Sequence, residues 1–294
     1  MLSLSLCFGL TACGADNTES QDAEQTTEEA AAEQEEVEET LDPEDAAEMI
    51  PVLAYHKIKP YDKNDEATTL EMFDTTFKEQ MDYLKKKGFT TLTLDEFYQW
   101  YTGEIEVPKK SVVITLDDGY YGTYYYAYPI IKENGQAATV FTIGHLINEK
   151  TDEWDPDATE DHYVGYDVIE EARSEYPKYT YESHTFNMHK KIDGKHPVDV
   201  FSKDEMVEDI KSNEKYGFTY LAYPWGDYNK KMKAALEENG YKMAFAYRPF
   251  VYATRNDDKY AINRIRISGK CSMRDFKKIV NLKSKDHMPG QDDD

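Results

Sequence analysis

From Ile50 onward the chain alternates short apolar runs with stretches whose apolar residues recur at helical spacing, about seven times over. No other feature constrains the fold so tightly. "IPVLAYH" (50–56), "FTTLTL" (89–94), "SVVITLD" (111–117), "AATVFTIG" (137–144), "YTYESH" (179–184), "TYLAYP" (219–224), "YKMAFAY" (241–247) and "YAINRIRIS" (260–268) read as strands. Several lack any apolar–polar alternation, as strands covered on both faces do. Between them, "DTTFKEQMDYLKKKG" (74–88) places Phe77, Met81 and Leu84 on one face, with lysines in its last turn and a closing glycine. "DEFYQWYTG", "YPIIKENG", "DVIEEARSEYP", "SKDEMVEDIKSNEKYG", "NKKMKAALEENG" and "MRDFKKIVNL" read as further helices. Strand and helix in strict alternation predict an α/β fold with a parallel sheet, closed or nearly closed into a distorted (β/α) barrel of about seven strands.

The first 48 residues have a different texture. Asp16–Glu48 holds 15 of the chain's 58 acidic side chains and neither Lys nor Arg, so it carries more than half of the net charge of -24. With little apolar surface to offset the entropy of ordering, residues 14–48 are expected to be a disordered acidic linker. Ahead of it, "MLSLSLCFGLTAC" is too short to span a bilayer and ends in small residues. "LTAC" resembles a lipobox, which implies a signal segment over residues 1–13, lipidation at Cys13 and anchoring to the outer face of a bacterial membrane. Two of the three cysteines precede residue 14, which leaves Cys271 with no disulfide partner in the folded part, expected over residues 49–285. Residues 286–294 are expected to be a disordered tail. The acidic balance argues against nucleic acid as a partner, and a monomer is expected.

A parallel barrel carries its chemistry where strands end. His56 follows "VLAY", Asp117 and Asp118 follow "VVITL", His184 and His189 follow "YTYES", and Tyr223-Pro224-Trp225-Gly226 follows "TYLA". Two adjacent carboxylates closing a buried strand need a positive partner, because an unpaired buried charge costs several kcal/mol, roughly the desolvation of the ion. Each element taken alone has a plainer reading: Asp-Asp-Gly is common in turns, histidines five apart do not share a helix face, and Pro-Trp-Gly makes an ordinary turn. Their coincidence at four strand ends points to one rim.

Over roughly Met49–Leu282 the chain resembles the polysaccharide deacetylases of the NodB-homology type, carbohydrate esterase family four. The resemblance rests on "TLDDG" (115–119), "HTFNMH" (184–189) and "LAYPWG" (221–226), and "LAYHKI" and "NRIRIS" are similar to the branch acting on poly-N-acetylglucosamine-type surface polymers. It implies a divalent metal, zinc by default with iron, cobalt or nickel as alternatives, held by Asp118, His184 and His189. It further implies Asp117 as general base, the backbone N–H of Trp225 as oxyanion donor, and Tyr223, Pro224 and Trp225 along the substrate groove. From the tyrosine-rich run itself, Tyr120 or Tyr121 is expected at the rim. The substrate would be an N-acetylated glycan polymer, in an exopolysaccharide or in peptidoglycan. Two family features are missing. The arginine that orients the base falls at Leu221, and "AINRIRISGK" offers no late histidine as general acid. Arg264 or Arg266, only one of them expected to point inwards, could supply the guanidinium. His56 could protonate the leaving amine or shape the pocket. A catalytically weak polysaccharide-binding relative, a solute-binding lipoprotein and an acetylxylan-type esterase stay open as alternatives. The tyrosine-rich run 120–128 is expected to pack mainly into the core, His145, His162, His196 and His287 are given no role, and the long connection 148–166 is either a lid or a surface insertion.

Overall fold

The computed structural model describes residues 42–151, 161–247 and 251–281. Seven strands form its frame: β1 (Val52–Tyr55), β2 (Ser111–Leu116), β3 (Ala138–Thr142), β4 (Tyr179–Ser183), β5 (Tyr220–Ala222), β6 (Met243–Tyr247) and β7 (Ile262–Arg266). Each lies parallel to its predecessor, and β7 pairs with β1, which closes the ring. Strand order in space is therefore strand order in sequence. Every residue of β2 is buried, as expected of a β-branched run with helices on one side and the lumen on the other.

Eight helices accompany the strands: α1 (Asp74–Lys86), α2 (Leu94–Thr102), α3 (Tyr128–Asn134), α4 (Tyr166–Glu175), α5 (Pro197–Val200), α6 (Lys203–Lys211), α7 (Lys230–Glu238) and α8 (Met273–Val280). Phe77, Met81 and Leu84 of α1 join Ile131, Ile169 and Phe276 in one core layer against the outward side chains Leu53, Ile114, Val140 and Tyr181. Met206, Ile210, Met232 and Leu236 form a second layer over Leu221, Ala244 and Ala246. A third cluster fills the barrel itself, where Phe97 and Trp100 of α2 meet Val52, Phe141, Tyr220, Met243, Phe245 and Ile262. Several of these residues begin their strands, so α2 stops the N-terminal mouth and leaves the C-terminal mouth for chemistry.

The expected strand over 89–94 is reduced to Thr90–Thr91, paired beside Ser111 and Val112. The ring already has its seven members, and Thr93 opens α2 instead, its hydroxyl accepting from Glu96 N while the Glu96 carboxylate accepts from Thr93 N. In the tyrosine-rich run, Thr123–Ala127 forms a π-helical turn leading into α3. Tyr128 is buried, Tyr121, Tyr124 and Tyr126 pack against the core, and Tyr125 is half exposed. Among the described residues no helix is long and apolar enough to cross a membrane. Cys13, most of the acidic linker, residues 152–160 of the long connection and the C-terminal tail lie outside the described residues.

Candidate active site

The two aspartates are separated by a backbone kink. Asp117 N still donates to Tyr55 O in the strand ladder (2.9 Å), whereas Asp118 and Gly119 both turn left-handed, with φ of 73° and 77°. Aspartate tolerates that region better than most residues, and glycine enters it freely. A Cβ on Gly119 would also meet Thr142 Cγ2 at 2.6 Å. The kink sends the two neighbouring carboxylates to different partners.

Asp117 is fully buried and bound on both oxygens. Arg264 donates from Nη1 to Oδ1 (2.6 Å) and from Nη2 to Oδ2 (2.8 Å), and the Tyr247 hydroxyl donates to Oδ2 (2.6 Å). Arg264 also donates to Thr115 Oγ1 (3.1 Å), and its guanidinium lies over the rings of Tyr247 and Phe141. Burial pushes the Asp117 carboxyl up, but the guanidinium outweighs it and holds the group far below the usual carboxylate range. His56 Nε2 stands 3.9 Å from Asp117 Oδ2, its ring nearly parallel to that of Tyr247 at 6.3 Å. Burial lowers the His56 pKa despite the nearby carboxylates.

Asp118 faces the histidines. His184 Nε2 and His189 Nε2 each lie 3.4 Å from Asp118 Oδ1, which is buried and has no hydrogen-bond partner. His184 Nδ1 meets Ala222 O at 2.8 Å, so the proton on Nδ1 leaves Nε2 bare toward Asp118. One carboxylate and two imidazoles, whose ligand atoms all lie within 4.8 Å of one another, fit a divalent ion of zinc type, and the orphaned Oδ1 is the donor such an ion would satisfy. Burial lowers the His189 pKa to about 4, with His184 adding to the effect. The loop joining the two histidines is held from below: both oxygens of buried Asp209 accept from it, Phe186 N at 2.8 Å and Asn187 N at 2.7 Å.

The Pro224–Gly226 turn closes the other side. Trp225 is left-handed (φ 56°) and 37% exposed, and its ring lies between His189 (4.6 Å) and His196 (4.2 Å). Both faces are therefore covered, and the indole offers its edge to the groove. Tyr223, expected along that groove, is 1% exposed and donates its hydroxyl to Tyr260 O (2.8 Å), while Pro224 is buried beneath the turn. These two support the rim from inside. Tyr120 is half-buried and stacks on Tyr163 at 5.3 Å, and burial together with the Asp118 charge raises its hydroxyl pKa. The described end of the long connection thus crosses the β2 terminus, where Val164 N donates to Gly119 O and Tyr121 N to His162 O.

The expectation that Arg264 and Arg266 point to opposite faces is corrected by the strand period, since residues two apart share a face. Depth separates them: Arg264 lies in the lumen at 0% exposure, and Arg266 stands half-buried at the end of β7. Sequence reasoning missed Tyr247, Asp209 and His196. For Tyr247 the signal was present, because it ends the strand "YKMAFAY" as the other site residues end theirs.

A family model described as polysaccharide deacetylase matches residues 104–244. YxkH of Bacillus subtilis (strain 168), which carries the polysaccharide deacetylase name, is 30% identical over 224 residues, covering 74% of this chain and 71% of its own length. A poly-beta-1,6-N-acetyl-D-glucosamine N-deacetylase of Staphylococcus aureus (strain MRSA252) is 27% identical over 239 residues, covering 74% and 78%. Among solved structures, the Streptococcus pyogenes deacetylase PplD in complex with acetate superposes with a TM-score of 0.65 at 22% identity, over 79% of this chain and 98% of that one. IcaB from Ammonifex degensii gives 0.64 at 21% identity, over 81% and 99%. These structural likenesses bear on the fold.

Proposed function

Because the chain belongs to the polysaccharide deacetylase family, we propose that it is a metal-dependent hydrolase that removes N-acetyl groups from an N-acetylglucosamine polymer outside the cytoplasmic membrane. The observation that carries this reading is the division of labour between the adjacent aspartates: Asp118 sits with two imidazoles, and Asp117 is bound by a guanidinium and a tyrosine hydroxyl. Asp118, His184 and His189 would hold the ion, with zinc the expected occupant. Such an ion polarises water and a carbonyl oxygen.

The chain's own groups do the rest. Arg264 keeps Asp117 ionised and aimed, so that this carboxylate takes the proton as water adds to the acetamide carbon. The backbone N–H of Trp225, turned by its left-handed conformation, donates to the carbonyl oxygen as negative charge grows there. His56, 3.9 Å from Asp117 Oδ2, returns the proton to the leaving nitrogen after a small shift in position. Acetate and a free amine result. Tyr120 and the edge of Trp225 flank the groove.

A binding-only role loses one of its two supports, because Arg264 supplies the guanidinium that Leu221 lacks. The Staphylococcus aureus relative, named for a poly-β-1,6-N-acetylglucosamine substrate, favours that class of polymer over peptidoglycan and over acetylxylan. Location outside the cell rests on the "LTAC" lipobox ending at Cys13 and the acidic stretch that follows it. The deciding experiment is acetate release by zinc-loaded protein from poly-β-1,6-N-acetylglucosamine, peptidoglycan and acetylxylan. Release from the first is expected; release from acetylxylan alone would replace the amidase by an esterase.

A further inference from the structure

The two histidines of the Asp118 cluster are held by different means. His184 is locked through Nδ1 to the Ala222 carbonyl in a fully buried setting. His189 is partly exposed and packs its ring against the Trp225 indole, at 4.6 Å and 29° between planes. The opposite face of that indole carries His196, at 4.2 Å and only 10°, and His196 Nδ1 pairs with the Asp227 carboxylate just beyond the turn. Three rings thus form one stack, with the expected metal ligand at one end and the His196–Asp227 contact at the other.

Trp225 needs holding, because a bulky residue at φ 56° is strained and persists only where its surroundings over-determine it. Gly226 allows the turn to press close: a Cβ there would meet Tyr247 N at 2.7 Å. His196 is anchored in turn. The Ile192–Lys195 bridge precedes it, and buried Pro197 starts α5 directly after it. Met188, Val198 and Met232 line the apolar cleft beside the stack.

We propose that His196 is a positioning residue: stacked on the Trp225 indole, it holds that ring flat against His189 and so orients a metal-ligating imidazole. Aromatic pairs of this kind add stability beyond their burial, and partners that orient metal ligands typically change metal affinity about 10–100-fold. The inference rests on Asp118, His184 and His189 being ligands.

The test titrates zinc into the full chain against a chelating indicator, records the visible spectrum of the cobalt-substituted protein, and measures kcat and KM on an N-acetylglucosamine oligomer at saturating zinc. His196→Phe keeps a ring on the indole but cannot pair with Asp227; His196→Gln keeps a polar partner for Asp227 and loses the ring. If the stack orients His189, His196→Gln weakens zinc about tenfold or more and alters the cobalt bands, with KM within about twofold of the parent and kcat largely recovered at saturating zinc. His196→Phe stays within about threefold of the parent in zinc affinity. Parent-like zinc affinity in His196→Gln overturns the proposal, as does a His196→Phe protein as weak as His196→Gln. His189→Ala separates the two levels. Should that variant bind zinc as tightly as the parent, the ligand reading itself falls; should it lose zinc while His196→Gln does not, only the role of His196 falls.

Discussion

Asp117 and Asp118 share a sequence neighbourhood and little else. Asp117→Asn should leave zinc stoichiometry near that of the parent, because the amide fills the same volume and Asp118 keeps its histidines. It removes the proton acceptor, a contribution typically worth ~10²–10⁴-fold, so the loss should appear in kcat. Metal analysis and steady-state rates on one preparation check this, and loss of activity in proportion to lost metal would assign Asp117 to the ion instead. Arg264→Met should cost about 3–5 kcal/mol in urea unfolding, since it strands a buried carboxylate. The double variant with Asp117→Asn should recover part of that loss, the sign of a coupled pair. The pair also sets a pH dependence. The Asp117 pKa is depressed in the folded state, so its contribution to stability is present above the ordinary carboxylate range and disappears as pH falls below it. Asp117, Asp118, His56, His184 and His189 were legible because each follows a strand readable from its own apolar or aromatic run. His196 and Asp209 were not: one lies in a loop and the other on a helix face, and only folding brings them to the rim.

At the scale of elements, the seam between β4 and β5 is the weak point of the ring, with Ser183 opposite Leu221 as its one register pair. Below that pair Glu182 takes over, its Oε2 accepting from Thr219 N (2.8 Å) and Tyr220 N (3.0 Å). Burial pushes its carboxyl up to about 7. A folded pKa above the ordinary 4.5 means that the folded state binds the extra proton, so the stability Glu182 confers is present at acid pH and declines as pH rises through the interval up to about 7. Glu182→Gln keeps an accepting oxygen and removes the charge. Thermal unfolding of this variant between pH 5 and pH 8 should give a flatter profile, with a gain on the order of 2 kcal/mol over the parent at pH 8. A profile parallel to the parent's would remove Glu182 from the pH response. Most of the longer helices were legible from their apolar spacing, but α5 was not, and "TLDE" (93–96), whose first two residues read as strand, holds the capping box of α2. What misled was local propensity at 89–94: β-branched residues there feed two strand positions and a cap, because the lumen needed Leu92, Leu94 and Phe97 as filling more than it needed another strand.

For the whole molecule, the sequence divides into an acidic head and a barrel region of mixed charge, and the proposed anchor belongs to the first. Cys13→Ala should move the protein from the membrane fraction to the medium without changing the specific activity of the released chain; unchanged membrane association, with no lipid mass on the N-terminal peptide, would remove the anchor. The alternation that predicted a barrel could not say how it closes. Strand order equal to chain order makes six of the seven seams local, and only β7 against β1 joins the two ends of the domain. The last strand also delivers Arg264, 147 residues after Asp117. A chain emerging from the ribosome therefore gains the guanidinium only when its final strand docks, and an Asp117 buried in an incomplete barrel would lack its charged partner. The Asp117–Arg264 pair thus comes into being in the same step that closes the barrel.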